Sequence, residues 1–148
     1  MAETADNNPP ARAALCDEDA PPTAEQKPLP KSVTDKPLEE KSPAEWAYER
    51  LILYIQNFEE QLDNAHEVAM GFTGGDAGVL KIEGLGYFDP DIVTFYGSDS
   101  MGTKTQLIQH VSQLNVMLRA LPREDESEEP PTRIGFRLAA DLENDAEA

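Results

Sequence analysis

A long apolar stripe constrains this chain more than any other feature. Apolar residues recur with the 3-4-3-4-3 spacing of one helix face at Tyr48, Leu51, Ile55, Phe58, Leu62 and Ala65. The preceding Ser42-Pro43-Ala44-Glu45 is typical of a helix start, because serine can cap, proline suits the first position and glutamate can bond back. The spacing therefore predicts a helix over residues 43–65. Its stripe can pack as core against a sheet, or it can form a surface for self-association.

Three β-forming runs separated by turn residues follow this helix. Residues 68–72, 79–85 and 92–96 are rich in apolar, β-branched or aromatic side chains and predict strands, with turns at 73–76 and 88–91. Gly84 and Gly86 indicate a bulge or tight bend in the second strand.

Residues 104–121 carry two patterns at once. Helical spacing gives one stripe, ended by Pro122, that consists of Leu107, Val111, Leu114, Leu118 and Leu121. Strand spacing instead lets residues 105–109 pair back across Gly102, followed by an alternating run over 114–120. The spacing alone slightly favours the helix, and both alternatives stay open. Residues 134–138 predict a final strand or a segment that docks on the domain.

The two ends of the chain are too polar to fold alone. Residues 1–42 hold nine acidic and five basic residues, and eight of the twelve prolines lie at or before Pro43. A second acidic stretch with prolines covers 123–131, and residues 139–148 are acidic again. We therefore expect one α+β domain over 43–138 with an acidic loop at 123–131. A long N-terminal helix should pack there on a small, bent antiparallel sheet, between disordered acidic termini at 1–42 and 139–148.

Charge and cysteine content exclude several classes of protein. The net charge is −17, and residues 43–122 contribute −7 through eleven acidic and four basic residues. Nucleic-acid binding is disfavoured, because that affinity comes mainly from Lys and Arg. The single Cys16 allows no intramolecular disulfide, and the apolar cluster at 51–55 is far too short to span a bilayer. With no apolar leader near Met1, we expect a cytoplasmic protein without membrane contact.

Signals for chemistry are sparse. His66 and His110 lack metal-ligand spacing, and the chain holds no nucleophile elbow, P-loop or dinucleotide fingerprint. We therefore expect no enzyme activity, no cofactor and no metal site. The candidate interaction surface comprises the polar residues around His110 and two aromatic residues: Gln109, His110, Gln113, Asn115, Tyr87 and Trp46. The alternative for the polar set is local hydrogen bonding to the backbone.

Several short motifs resemble a family of small proteobacterial proteins of unknown function. They are Gly86-Tyr87-Phe88-Asp89-Pro90, Phe95-Tyr96-Gly97, the run from Leu107 to Asn115, and Arg133-Ile134-Gly135-Phe136. The resemblance covers roughly 43–138 and is most specific between Leu107 and Leu114. It implies a family but no activity.

The order of predicted elements is also similar to that of the bacterial Sm-like RNA chaperones. Those proteins have an N-terminal helix and five bent strands, with a one-turn 3₁₀ element after a lysine-histidine pair. Gln109-His110 stands at that pair here, so the lysine of the RNA-contacting pattern is missing. The resemblance implies a sheet that can close into a barrel, and it favours two strands within 104–121.

The function stays unknown from sequence, and the best hypothesis is a non-enzymatic protein-interaction module that self-associates. Its partner would be a second copy or another protein. One alternative is an Sm-like RNA-binding regulator. Another is an enzyme whose site assembles only in three dimensions.

Overall fold

The computed structural model describes residues 10–72, 78–123 and 133–147, and it confirms the α+β class. Two 3₁₀ turns, Ala24–Gln26 and Leu38–Glu40, flank the short helix α1, Lys31–Thr34, and precede the main helix α2, Pro43–Glu60. The strands that follow are β1 (His66–Phe72), β2 (Val79–Phe88), β3 (Ile92–Ser98), β4 (Lys104–His110) and β5 (Val116–Pro122). A 3₁₀ turn, Val111–Gln113, separates β4 from β5, and helix α3 covers Ile134–Glu147.

Helix α2 begins where the sequence predicts and ends earlier. The Ser42 hydroxyl accepts a hydrogen bond of 3.0 Å from the backbone N–H of Glu45, and Pro43 takes the first helical position. The helix ends at Glu60 rather than at residue 65. The Asp63 carboxylate accepts a 2.9 Å bond from the Ala65 N–H, and this bond stabilises a turn that leads into β1.

The apolar stripe of α2 is used for the core. Ile52 and Ile55 are fully buried, and Tyr48, Leu51 and Phe58 pack partly buried against the same cluster. Most of the stripe therefore packs on the sheet as core, as the first alternative expects, and self-association through its partly exposed residues stays a prediction.

The five strands form one antiparallel sheet in the order β4-β3-β2-β1-β5. Residues 104–121 are thus two strands and a 3₁₀ turn, and the single-helix alternative is wrong. Both strands gain long-range partners over seven residues, β4 from β3 and β5 from β1, which local spacing cannot reveal. The predicted irregularity in β2 is confirmed as a register shift between Ile82 and Gly84.

The sheet is open and does not close into a barrel. Strands β4 and β5 lie at opposite ends of the strand order, and within the described part of the chain each has a single neighbour. The barrel that the Sm-like resemblance implied is therefore wrong, although the order of helix, strands and 3₁₀ turn is as expected.

Residues 134–138 dock as the first turns of helix α3 and not as a strand. Leu138 and Leu142 are buried in the core on one face of this helix. Gly135 lies so close to α2 that a Cβ there would stand 2.7 Å from the Gln56 Cα. The helix continues to Glu147, through the stretch whose acidic composition predicts disorder. Of the predicted acidic loop at 123–131, only Arg123 belongs to the described residues.

Part of the N-terminal stretch also packs on the domain. Val33 of α1 is fully buried in the main core, and Leu29 packs against the same cluster. The Lys41 ammonium is buried too, where it donates to the Val33 carbonyl and lies 2.7 Å from the Glu49 carboxylate. These contacts differ from the disordered tail predicted for 1–42, because one valine and one lysine supply an anchor that composition does not show.

Candidate functional site

The two end strands of the sheet are its most distinctive exposed feature. Among the residues that the structure describes, β4 pairs only with β3, and β5 pairs only with β1. The outer side of each strand therefore presents backbone N–H and C=O groups without a strand partner. Such edges are templates for pairing with another chain.

Side chains on these edges alternate between the helix-covered face and the open face of the sheet. Leu107 of β4 pairs with buried Phe95, and Leu118 of β5 pairs with buried Met70, so both leucines face the helices. Ile108 and Met117 lie on the opposite face and are exposed. Leu107 and Leu118 thus hold equivalent inward positions at the two ends of the sheet.

An apolar groove lies beside the β5 edge. It has a volume of about 300 Å³, and its lining is almost entirely apolar: Leu51, Tyr54, Ile55, Leu114, Val116 and Leu118. Helix α2 forms one wall, and β5 with Leu114, two residues before it, forms the other. A strand added to this edge would cover the groove with its own inward side chains.

His110 ends β4 and organises the turn that leads to β5. Its Nδ1 atom accepts a 3.1 Å bond from the Ser112 backbone N–H and lies 2.8 Å from the Ser112 hydroxyl. The Nε2 atom lies 3.1 Å from an Asp91 carboxylate oxygen, to which an N–H at this position donates. The Gln113 side chain accepts a 2.9 Å bond from the His110 N–H and completes a capping box.

The Asp91–His110–Ser112 chain contains the residue types of a hydrolytic triad, but its geometry is that of a cap. A triad histidine needs a free lone pair to take the serine proton. Here the Nδ1 lone pair is shared with the Ser112 N–H, and all three side chains stand on the surface rather than in a cleft. Of the polar set around His110, His110 and Gln113 bond local backbone groups, as the alternative of local hydrogen bonding expects.

The structure separates the other candidate residues predicted from the sequence. Gln109 faces the helix-covered side of β4, away from His110, and its Oε1 atom is buried without a hydrogen-bond partner among the described residues. Asn115 is exposed between the 3₁₀ turn and β5. Trp46 is buried on α2, with the Lys41 ammonium 4.2 Å from its ring centroid. Only His110 and Gln113 join in one cluster.

Tyr87 belongs to a second cavity that the sequence does not reveal. Its ring centroid lies 4.9 Å from that of Tyr48, and the cavity beside both rings has a volume of about 310 Å³. Lys36 and Glu45 line the same space and form an ion pair of 3.2 Å. Lys36 follows α1, Glu45 and Tyr48 lie on α2, and Tyr87 lies on β2, so no local motif could have grouped them.

Residues 38–137 match the sequence profile of a family of unknown function, DUF6173. The chain belongs to the DUF6173 family. The match covers α2, the whole sheet and the start of α3, so the open edges and the groove are features of the matched region. The Val33 anchor lies outside it.

Membership of DUF6173 agrees with the resemblance to a family of unknown function and supplies no activity. No curated protein and no solved structure matches the chain, so the Sm-like resemblance is not confirmed. Across the residues described here, no cluster of three or more His, Cys, Asp or Glu residues could hold a metal ion. Within the same ranges, no helix has the length and apolar character needed to cross a bilayer.

Proposed function

We propose that this DUF6173 protein is a non-enzymatic interaction module that associates with copies of itself through the two open edges of its sheet. The observation that carries the proposal is the pair of seven-residue edge strands, β4 and β5, with an apolar groove beside one of them. In the assembly, β4 of one copy adds to β5 of the next.

The edge strands lack the usual protection against pairing. Soluble proteins block free edges with inward-pointing charges, prolines or very short strands. In β4 the only charged or titratable side chains are Lys104 and His110 at its two ends, and in β5 the only proline is Pro122 at the end. The remaining charge, Arg119, faces away from the helices. The centres of both edges are therefore open to a partner strand.

The side chains that face the helices are apolar at the centres of both edge strands, so the two edges can pack against each other. The groove at β5 is apolar, and the inward centre of β4 is Leu107. A β4 strand paired with β5 of another copy would place this leucine against the groove and extend the core across the contact. The contact is head-to-tail, because the two edges differ, and such contacts build rings when the rotation closes.

The strength of association through this contact should depend on ionic strength. Each copy carries a net charge of −17, so copies repel one another at low salt. Screening at higher salt removes the repulsion while apolar contact is retained. Association should therefore strengthen as salt is added.

A matched pair of variants tests the edge contact. Leu107→Lys places a charge on the inward face of β4, whereas Gln106→Lys adds the same charge to the open face one residue earlier. Light scattering should give a lower mass for Leu107→Lys and an unchanged mass for Gln106→Lys, with circular dichroism showing that both are folded. Equal masses for the two variants would contradict the proposal.

RNA binding, the function that the Sm-like resemblance implies, is the second candidate. Three of the four basic residues between 43 and 122, namely Lys81, Lys104 and Arg119, lie on the face of the sheet away from the helices. These bases favour the candidate, but two acidic strand residues on the same face, Glu67 and Glu83, offset most of their charge, and the overall negative charge opposes RNA binding as well. The absorbance ratio of the purified protein at two ultraviolet wavelengths tests it, since co-purified RNA raises that ratio.

A further inference from the structure

The lining of the cavity beside Tyr48 and Tyr87 includes an ammonium group from the chain itself. Lys36 lines the cavity and forms a 3.2 Å bond to the Glu45 carboxylate, which lines it too. The two tyrosine rings contact each other at a centroid distance of 4.9 Å and are tilted by 51°. Asp35 adds a second carboxylate to the lining. We refer to this space as the tyrosine–carboxylate cavity.

The electrostatic character of this cavity is negative. Burial raises the pKa of the Tyr87 phenol, and the nearby carboxylates of Glu45, Asp89 and Glu49 raise that pKa further. Glu49 is compensated by its buried pair with Lys41, but Asp35 and Asp89 form no ion pair among the described residues. A cavity with this excess of negative charge suits a cation.

Aromatic rings and carboxylates together recognise alkylammonium groups. A ring face attracts a cation through its quadrupole, and a carboxylate accepts charge-assisted hydrogen bonds from it. Lys36 forms an ion pair with Glu45 near the surface, where the Lys36 side chain is 47% exposed and the Glu45 side chain is 18% exposed. Exposed lysine–carboxylate pairs are weak, so an incoming group of the same chemistry can replace this one.

We propose that the tyrosine–carboxylate cavity binds a primary alkylammonium group from a partner, and that Lys36 occupies the position of this ligand in the free chain. The group can belong to a lysine side chain of a basic protein segment or to a free polyamine. The inference is independent of association through the sheet edges, because the cavity is lined by α1 and the residues after it, by α2 and α3, and by the end of β2, and not by β4 or β5.

The direct test removes the lysine ammonium from the cavity lining and measures the binding of an added alkylammonium compound. Lys36→Ala removes the resident group. Lys81→Ala is the matched control, because Lys81 forms a similar exposed pair of 3.3 Å with Glu67, and Lys81 does not line this cavity. Two probes are titrated separately while backbone amide shifts at residues 45 and 87 are recorded: cadaverine, and a blocked glycine-lysine-glycine peptide.

Lys36→Ala should bind at least one probe a few-fold more tightly than the natural chain, since the weak competing internal pair is gone. Lys81→Ala should bind like the natural chain, and Glu45→Gln added to Lys36→Ala should abolish binding. Binding of the peptide identifies a lysine side chain as the ligand, and binding of cadaverine alone identifies a polyamine. The proposal is overturned if neither probe gives saturable shifts with Lys36→Ala, or if Lys81→Ala or the Glu45→Gln double variant binds equally well.

Discussion

The Glu59 carboxylate of α2 accepts a hydrogen bond of 2.6 Å from the backbone N–H of Gly135 at the start of α3. Both residues are buried, and the bond satisfies one of the N–H groups that a helix start leaves without an internal partner. This buried side chain thus links the start of α3 directly to α2. Because α3 contributes Leu138 and Leu142 to the core, this bond bears on the stability of the whole domain.

Glu59→Ala should destabilise the protein by about 1–3 kcal/mol, because the Gly135 N–H is left buried without an acceptor. Glu59→Gln keeps an acceptor oxygen at the same place and should be tolerated. Chemical denaturation of the two variants measures the difference. Equal stability of both variants would show that the bond to α3 contributes little.

Glu59→Gln should also weaken the pH dependence of stability. Burial raises the pKa of Glu59, and the Gly135 N–H offsets this rise only in part. The folded-state pKa therefore exceeds the unfolded one, so the contribution is full below the ordinary glutamate pKa and is lost as pH rises through the raised value. As the pH rises above the ordinary glutamate pKa of about 4.3, the melting temperature should fall less for Glu59→Gln than for the natural chain. A parallel fall in both proteins would contradict this role.

Gly135→Ala should destabilise the domain by about 1–3 kcal/mol through overpacking. A Cβ at this position would stand 2.7 Å from the backbone of Gln56, which cannot move without distorting α2. Gly84→Ala is the control, since the nearest atom to its added Cβ is a Tyr96 ring carbon at 3.7 Å. Thermal denaturation should separate the two variants clearly, and similar melting temperatures would mean that α3 can shift away from α2.

Lys41→Met should cost about 3–5 kcal/mol, because it leaves the Glu49 carboxylate buried and unpaired. Burial already raises the pKa of Glu49 despite its bond to Lys41. Replacing both residues, as Lys41→Met with Glu49→Leu, should recover much of the lost stability. Urea denaturation compares the two proteins. A double variant no more stable than the single one would show that Lys41 acts through its bond to the Val33 carbonyl instead.

Val33→Ala should lower the stability by about 1–2 kcal/mol, because two methyl groups leave a fully buried site. Deletion of residues 10–40 should lower the melting temperature further, since it also removes the carbonyl that Lys41 contacts. Val33 lies in the stretch whose composition predicts disorder. Unchanged melting temperatures in both variants would support the disordered tail and contradict the packing of α1.

Much of the central fold can be predicted from local sequence, whereas the two edge strands and the C-terminal helix cannot. The start of α2, the three central strands and the irregularity near Gly84 each depend on nearby residues, and each is confirmed. Residues 104–121 satisfy both helix and strand spacing, with a slight preference for the helix, and only pairing with β1 and β3 makes them strands. Helix α3 was not predicted from the sequence. Its acidic composition is typical of disorder, and only Leu138 and Leu142 show the helical spacing of a buried face.

The candidate sites were harder to predict than the fold. His110 and Gln113 are close in sequence and form one cluster, as their spacing allows. Lys36 and Tyr87 line the same cavity although they are far apart in the chain, so the sequence could not group them. Gln109 and His110 are neighbours in the chain but lie on opposite faces of the sheet, because strand side chains alternate. Open sheet edges are likewise visible only once every strand has been assigned its neighbours.

The mass of the natural chain in solution, measured by light scattering over a range of concentrations and at two salt concentrations, tests the central claim most directly. Association through the β4 and β5 edges predicts a mass that is a multiple of 16.3 kDa and that is retained or increased at higher salt. A particle of 16.3 kDa at every concentration and at both salt concentrations would contradict self-association through the open edges.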